Sequence, residues 1–135
     1  MEIRQGAYLI TDNKDRIDID FVISSLQTTY WATNRQREII IDSIDNSIFI
    51  SLFKGTEQIG FSRIVTDKVT FAWIADVFID ERYRETGLGK WLVQSTTDHP
   101  SIKNVLLQLL KTRDAHGLYE QFGFRKDECL TKRNK

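Results

Sequence analysis

Val69-Thr70-Phe71-Ala72-Trp73-Ile74-Ala75-Asp76-Val77-Phe78-Ile79, followed by Asp80-Glu81-Arg82-Tyr83-Arg84-Glu85-Thr86-Gly87-Leu88-Gly89-Lys90, is the stretch on which the fold turns. Its first part is long, apolar and rich in β-formers, the pattern of a central strand covered on both faces. Arg84-Glu85-Thr86-Gly87-Leu88-Gly89 then sets two glycines where strand gives way to helix, and Leu88, Trp91, Leu92 and Ser95 fall on one side of that helix. Glycine lets the backbone approach a ligand closely. The first N–H groups of a helix have no intrahelical partners. Together these features suit the junction to a phosphate or pyrophosphate. His99-Pro100 stops the helix, and Val105 to Leu110 reads as a short buried strand. Strand, crossover helix and strand imply a parallel pair with a right-handed connection.

Upstream, Ile48–Phe53 and Gln58–Val65 are β-branched and aromatic runs separated by Lys54-Gly55-Thr56-Glu57. With the long strand from Val69 they make an antiparallel meander. Ala7–Thr11 reads as a first strand. Ile19, Val22, Ile23, Leu26 and Tyr30 follow helical spacing. Thr33 with Gln36 forms a capping box for a second helix that buries Ile40, Ile41 and Ile44 and ends at Asn46. Downstream, Ala115–Phe122 is a helix with Gly123 as its C′ residue, and Phe124–Leu130 is a last strand. The predicted order is β-α-α-β-β-β-α-β-α-β, an α/β sandwich on a mixed sheet, in one domain spanning 1–135.

Composition removes several classes. The chain has 135 residues, 41% hydrophobic and 28% charged, with 19 Lys plus Arg against 19 Asp plus Glu. Zero net charge argues against a dedicated nucleic-acid binder, whose footprint is a basic excess. One cysteine, Cys129, makes no intrachain disulfide. Two histidines and that cysteine lack metal-ligand spacing, so no metal is expected. No apolar run approaches the ~20 residues of a membrane span, and Met1-Glu2-Ile3-Arg4-Gln5 carries no signal-peptide core. A cytoplasmic protein with no membrane or nucleic-acid partner is the expectation.

The glycine junction is neither a P-loop nor a dinucleotide fingerprint: the third glycine of the latter would stand at Leu92. Taken alone it is equally a plain strand-to-helix turn. Downstream, however, Ala115-His116-Gly117-Leu118-Tyr119-Glu120-Gln121-Phe122-Gly123-Phe124 reads A-x-x-L-Y-x-x-x-G-F. R-x-x-G-x-G and this second motif, in this order, resemble the GCN5-related N-acetyltransferase (GNAT) superfamily from about Ile48 to Phe124. Tyr30-Trp31-Ala32 and Thr112-Arg113-Asp114-Ala115-His116-Gly117 look like a group of small stand-alone bacterial members.

The resemblance implies acetyl-CoA as donor, a primary amine, taken to be a small molecule, as acceptor, and direct transfer in a ternary complex. The pyrophosphate would sit on backbone N–H groups of Arg84, Glu85, Thr86, Gly87, Leu88, Gly89 and Lys90. The pantetheine arm would lie beside Val77, Phe78 and Ile79, where the sheet would splay. Glu85 departs from the glycine that many members carry there. The sequence stops soon after the sixth strand, which leaves the acceptor side open or completed by a second copy, a homodimer. By the same resemblance Tyr119 donates to the departing sulfur; its alternative is a packed core aromatic. Asp76, a carboxylate in an apolar strand, is either a general base acting through a water or a structural group bonded to backbone or to an arginine such as Arg113. Tyr30 and Trp31 either line the acceptor mouth or pack in the core, and Asp114 is first an N-cap, with a pantetheine contact as its alternative. A non-catalytic acyl-CoA-binding regulatory module is the rival function, and an interaction domain that has lost the ligand a further one.

Overall fold

A computed structural model describes residues 1–134. The chain opens with β1 (Glu2–Gln5) and β2 (Tyr8–Thr11), then α1 (Ile19–Leu26) and α2 (Arg37–Asp45). The meander follows as β3 (Ile48–Lys54), β4 (Glu57–Thr66) and β5 (Phe71–Ile79), and then α3 (Leu88–Thr97), β6 (Leu107–Leu110) and α4 (His116–Glu120). The sheet order is β1-β2-β3-β4-β5-β6. Every pairing is antiparallel except β5 with β6, which is parallel across the α3 crossover.

The mixed α/β sheet agrees with the sequence reading, but its two ends differ. A hairpin closed at Gly6, with φ of 56°, adds β1 ahead of the expected first strand. Residues 124–130, expected to form a last strand, have no regular secondary structure. The long strand starts at Phe71 rather than Val69, because the Asp67 carboxylate captures the N–H groups of Val69, Thr70 and Phe71 in a tight turn. The Thr70 hydroxyl and those N–H groups hold the Asp67 carboxyl well below the usual carboxylate range. The first helix stops at Leu26, so Tyr30 lies in the turns that follow. The capping box is absent: Gln36 is the N-cap of α2 without a side-chain bond, and the Thr33 hydroxyl donates to the Thr29 carbonyl instead.

Helices cover both faces. On one face Leu88 and Leu92 of α3 pack with Ile10, Ile50, Leu52, Ile59, Ile64 and Ala72. On the other, Val22, Ile23 and Leu26 of α1 and Ile40 and Ile44 of α2 pack with Phe49, Phe61 and Phe78. Full burial of each such side chain contributes about 1.5–3 kcal/mol.

One irregularity positions everything that follows. Phe61 pairs with Phe78 but Arg63 pairs with Ala75, so β5 carries one residue more than β4 there. This β-bulge centres on Asp76, whose φ is 53°. An extra residue reverses the alternation of side chains. Ala72 therefore packs under α3 while Phe78, an even number of residues later, packs under α1 and α2. Strict alternation would set Asp76 with both Ile74 and Phe78; the bulge separates it from Ile74. Gly60 is required here, because a Cβ on it would stand 2.8 Å from the Phe78 carbonyl oxygen.

Candidate active site

β5 and β6 pair only over Phe71–Ile74 and Leu107–Leu110. Beyond Ile74 the strands part, and the outer edge of Ala75 to Ile79 has no strand beside it among the described residues. The opening therefore begins at the bulge. Val77 and Ile79 turn toward the α3 cluster and Phe78 toward the other. Arg84 returns onto this strand end, its Nε donating to the Ile79 carbonyl at 2.9 Å.

A 3-10 turn at Glu81–Tyr83 leads into α3. Gly87 is the N-cap of α3 with φ of 87°, and no side chain caps the helix. The first helical bond runs from Trp91 N–H to the Gly87 carbonyl. The N–H groups of Leu88, Gly89 and Lys90 thus precede the first turn's acceptors, with the helix dipole behind them. The Leu88 side chain is buried in the core, while Arg84, Glu85, Thr86, Gly87 and Lys90 are exposed.

Asp76 is buried, and three donors hold its carboxylate. Trp31 Nε1–H donates to Oδ1 at 2.9 Å, and Arg35 Nη1 and Arg63 Nε both donate to Oδ2 at 2.9 Å. Arg63 Nη1 continues to the Ser47 hydroxyl at 3.1 Å. The arginine anticipated for Asp76, Arg113, is elsewhere: its guanidinium lies over the Tyr30 ring, 3.8 Å from the centroid. The Arg113 N–H donates to the Tyr30 hydroxyl at 3.1 Å. Tyr30 and Trp31 meet edge to face at 5.1 Å and are 46% and 41% exposed, which removes the core-packing reading for this pair.

Tyr119 sits on α4, half-buried, with its ring edge-on to Phe124 at 6.0 Å. Burial pushes its phenol up to about 12, assisted by Tyr30 and Asp114. Asp114 is not the N-cap of α4; Ala115 takes that position, and its N–H bonds to the Thr112 hydroxyl at 3.1 Å. Tyr119, His116, Leu110 and Thr112 line a cavity of about 1030 Å³ between β6, α4 and the segment after Gly123. That cavity contains none of Asp76 to Lys90. Tyr119 on α4 thus faces a cavity that neither the bulge nor the α3 start lines. Arg35 and Arg63 are the residues that sequence reasoning missed. The signal was available, since a buried strand carboxylate demands donors and Arg63 lies in the neighbouring apolar strand.

The Acetyltransferase (GNAT) domain pattern matches residues 45–126, well over half of the chain. The chain belongs to the GNAT acetyltransferase family. A candidate acetyltransferase of that family from Xanthomonas campestris pv. campestris superposes with a TM-score of 0.89 at 29% identity, covering 95% of this chain and 93% of its own. A candidate acetyltransferase of Gibberella zeae is 25% identical over 127 residues, covering 76% of this chain and 72% of its own length. Glucosamine-6-phosphate N-acetyltransferase of Arabidopsis thaliana shares the fold at 18% identity, with a TM-score of 0.65 over 93% of this chain and 97% of its own. Family membership makes the protein an acetyl-CoA-dependent N-acetyltransferase.

Within this GNAT domain Glu85 is the odd residue. Its φ is 63°, a left-handed conformation that glycine adopts without strain. The cost to an L-residue is about 1–2 kcal/mol, against about 0.5–1 kcal/mol of chain entropy that glycine loses on folding. Glu85→Gly is therefore expected to stabilise by about 0.5–1 kcal/mol, raising the melting temperature by roughly 2–5 °C. Removing a carboxylate beside the α3 start is also expected to tighten acetyl-CoA binding. Scanning calorimetry and a CoA titration check both; a lower melting temperature would show that the Glu85 side chain supports the loop.

Proposed function

We propose that this GNAT acetyltransferase moves an acetyl group from acetyl-CoA to a primary amine on a small molecule, directly, in a ternary complex. The observation that carries the reading is the parting of β5 from β6 at Asp76, with an uncapped helix start beyond its far end. The open edge of Val77, Phe78 and Ile79 accepts the amide groups of the pantetheine arm as a strand would. Backbone N–H groups from Arg84 to Lys90, the α3 start foremost among them, hold the pyrophosphate.

The amine attacks the thioester carbonyl, an oxyanion forms, and the C–S bond breaks. A backbone N–H at Val77 or Phe78 stabilises the oxyanion, a role worth about 3–4 kcal/mol where it has been removed from other enzymes. Tyr119 donates to the sulfur. Asp76, weighed above as a base through a water, has both oxygens engaged by Trp31, Arg35 and Arg63. That bonding favours the structural alternative: it fixes the bulge and the residues around the acceptor mouth. In this reading the acceptor enters as the free amine, and the proton it loses ends on the CoA thiol. The initial rate then rises with pH along the acceptor's own ionisation.

Titration calorimetry tests the donor. Binding of acetyl-CoA with thiol release on an amine panel is the expected result. No heat and no thermal stabilisation at millimolar acetyl-CoA would overturn the reading. Binding without turnover of any amine would leave the acyl-CoA-binding module.

A further inference from the structure

Two guanidiniums converge on one carboxylate at the bulge. Arg35 and Arg63 each pair with Asp76 at 2.9 Å and, among the described residues, with no other acid. Their side chains are only 23% and 14% exposed. One positive charge is therefore left largely out of water without a counterion, which is costly unless another group pairs with it. Donors are in excess as well. Each guanidinium carries five N–H groups; Arg35 spends one on protein, and Arg63 spends two, on Asp76 and Ser47.

The excess lies beside the place where β5 and β6 part. Asp76 stands just past the last β5–β6 pairing, at the mouth of the opening. Trp31 bonds the same carboxylate, and its ring meets Tyr30, over which Arg113 lies. The half-exposed Tyr30–Trp31 pair is thus flanked by cations on both sides. A guanidinium fork matches a carboxylate in geometry as well as in charge.

We infer that the acceptor is an amine that also bears a carboxylate, of the amino-acid class, and that Arg35, with Arg63 behind it, binds that carboxylate. The inference rests on the reading of the protein as an amine acetyltransferase and narrows its acceptor. The same charge disfavours polycationic amines, because each added ammonium meets three guanidiniums, Arg35, Arg63 and Arg113, against two carboxylates, Asp76 and Asp114. The single unpaired charge at the bulge matches a monoanion better than a phosphate dianion.

The test measures thiol release from acetyl-CoA with matched pairs: α- and β-amino acids, each against its own amide, with a polyamine and an amino-sugar phosphate alongside. At least a tenfold preference in kcat/KM for acid over amide is expected, and Arg35→Gln should shrink that ratio at least tenfold, with Arg35→Lys restoring part of it. Arg63 still pairs with Asp76 in the Arg35 variants, and acetyl-CoA binding by calorimetry checks that they fold. Equal turnover of acids and amides, or preference for the polyamine or the phosphate, overturns the inference while leaving acetyl transfer intact. Should no amine turn over, thermal shifts of the CoA-loaded protein with N-acetyl amino acids against their amides decide. A stabilisation by the acids that Arg35→Gln abolishes supports the inference, and its absence overturns it. Failure to bind acetyl-CoA at all would instead strike the acetyltransferase reading.

Discussion

Asp76→Asn is expected to lower the melting temperature by about 6–15 °C, the largest effect on stability of any single polar substitution around the site. The argument is electrostatic. Asp76 is buried, and Arg35 and Arg63 find their only acidic partner in it among the described residues. Removing one side of a buried ion pair costs about 3–5 kcal/mol, since the remaining charge stays desolvated. Here both guanidiniums reach some solvent, at 23% and 14% exposure. A smaller cost, about 2–3 kcal/mol, therefore applies, and a domain of this size loses roughly 3–5 °C per kcal/mol. Asparagine is the informative choice. It keeps an acceptor for Trp31 Nε1 and tolerates the 53° φ of the bulge, while an NH2 replaces the oxygen that accepts from both arginines, so the charge and the two guanidinium bonds are removed together. Asp76→Ala adds the left-handed backbone cost of about 1 kcal/mol and loses the indole bond. A cycle with Arg35→Gln should return a coupling of about 1–2 kcal/mol. If Asp76→Asn melts with the parent, the arginines reach water on their own and the cluster does not tie the bulge.

The same cluster shows where sequence reasoning reaches and where it stops. The meander, the crossover and the α3 junction were legible because each is local: apolar runs bounded by Lys54-Gly55 and Asp67-Lys68, and glycines at a strand-to-helix turn. Asp76 was legible as an anomaly, an acid in an apolar strand. Its partners were not, because Arg35 and Arg63 come from a loop and a strand separated from it by 41 and 13 residues. The periodicity rule failed at the bulge for the same reason: one extra residue in β5 becomes visible only once β4 lies beside it. At the termini, pattern misled in both directions. Phe124 to Leu130 alternates enough to suggest a strand, yet no strand pairs with it among the described residues. Glu2–Gln5 is too polar to suggest one, yet the Gly6 turn folds it onto β2 as an exposed edge, where polar side chains are the rule.

Tyr119→Phe is expected to lower kcat about 10- to 150-fold with little change in the KM for acetyl-CoA. The phenol of Tyr119 is pushed up to about 12 by burial, with Tyr30 and Asp114 adding to it. An ordinary thiol ionises near 8.5. Full transfer of the phenol proton to a thiolate would thus be uphill by about 3.5 units, or roughly 5 kcal/mol. In the proposed mechanism Tyr119 therefore donates a hydrogen bond to the sulfur as it gains charge, and the thiol's proton comes from the amine. A hydrogen bond to a charged group is worth about 1.5–3 kcal/mol, which sets the fold-change at one decade per 1.36 kcal/mol. Because that bond strengthens only as the C–S bond breaks, the loss falls on kcat rather than on binding. Stability supplies an independent check. Below pH 10 the phenol is neutral in folded and unfolded chains alike. Between pH 10 and 12 the unfolded chain gives up its proton first, so the parent loses stability as pH rises through that window. Tyr119→Phe should remove this part of the slope. An unchanged kcat, with the alkaline slope flattened, would make Tyr119 a packed core aromatic and take it out of the chemistry.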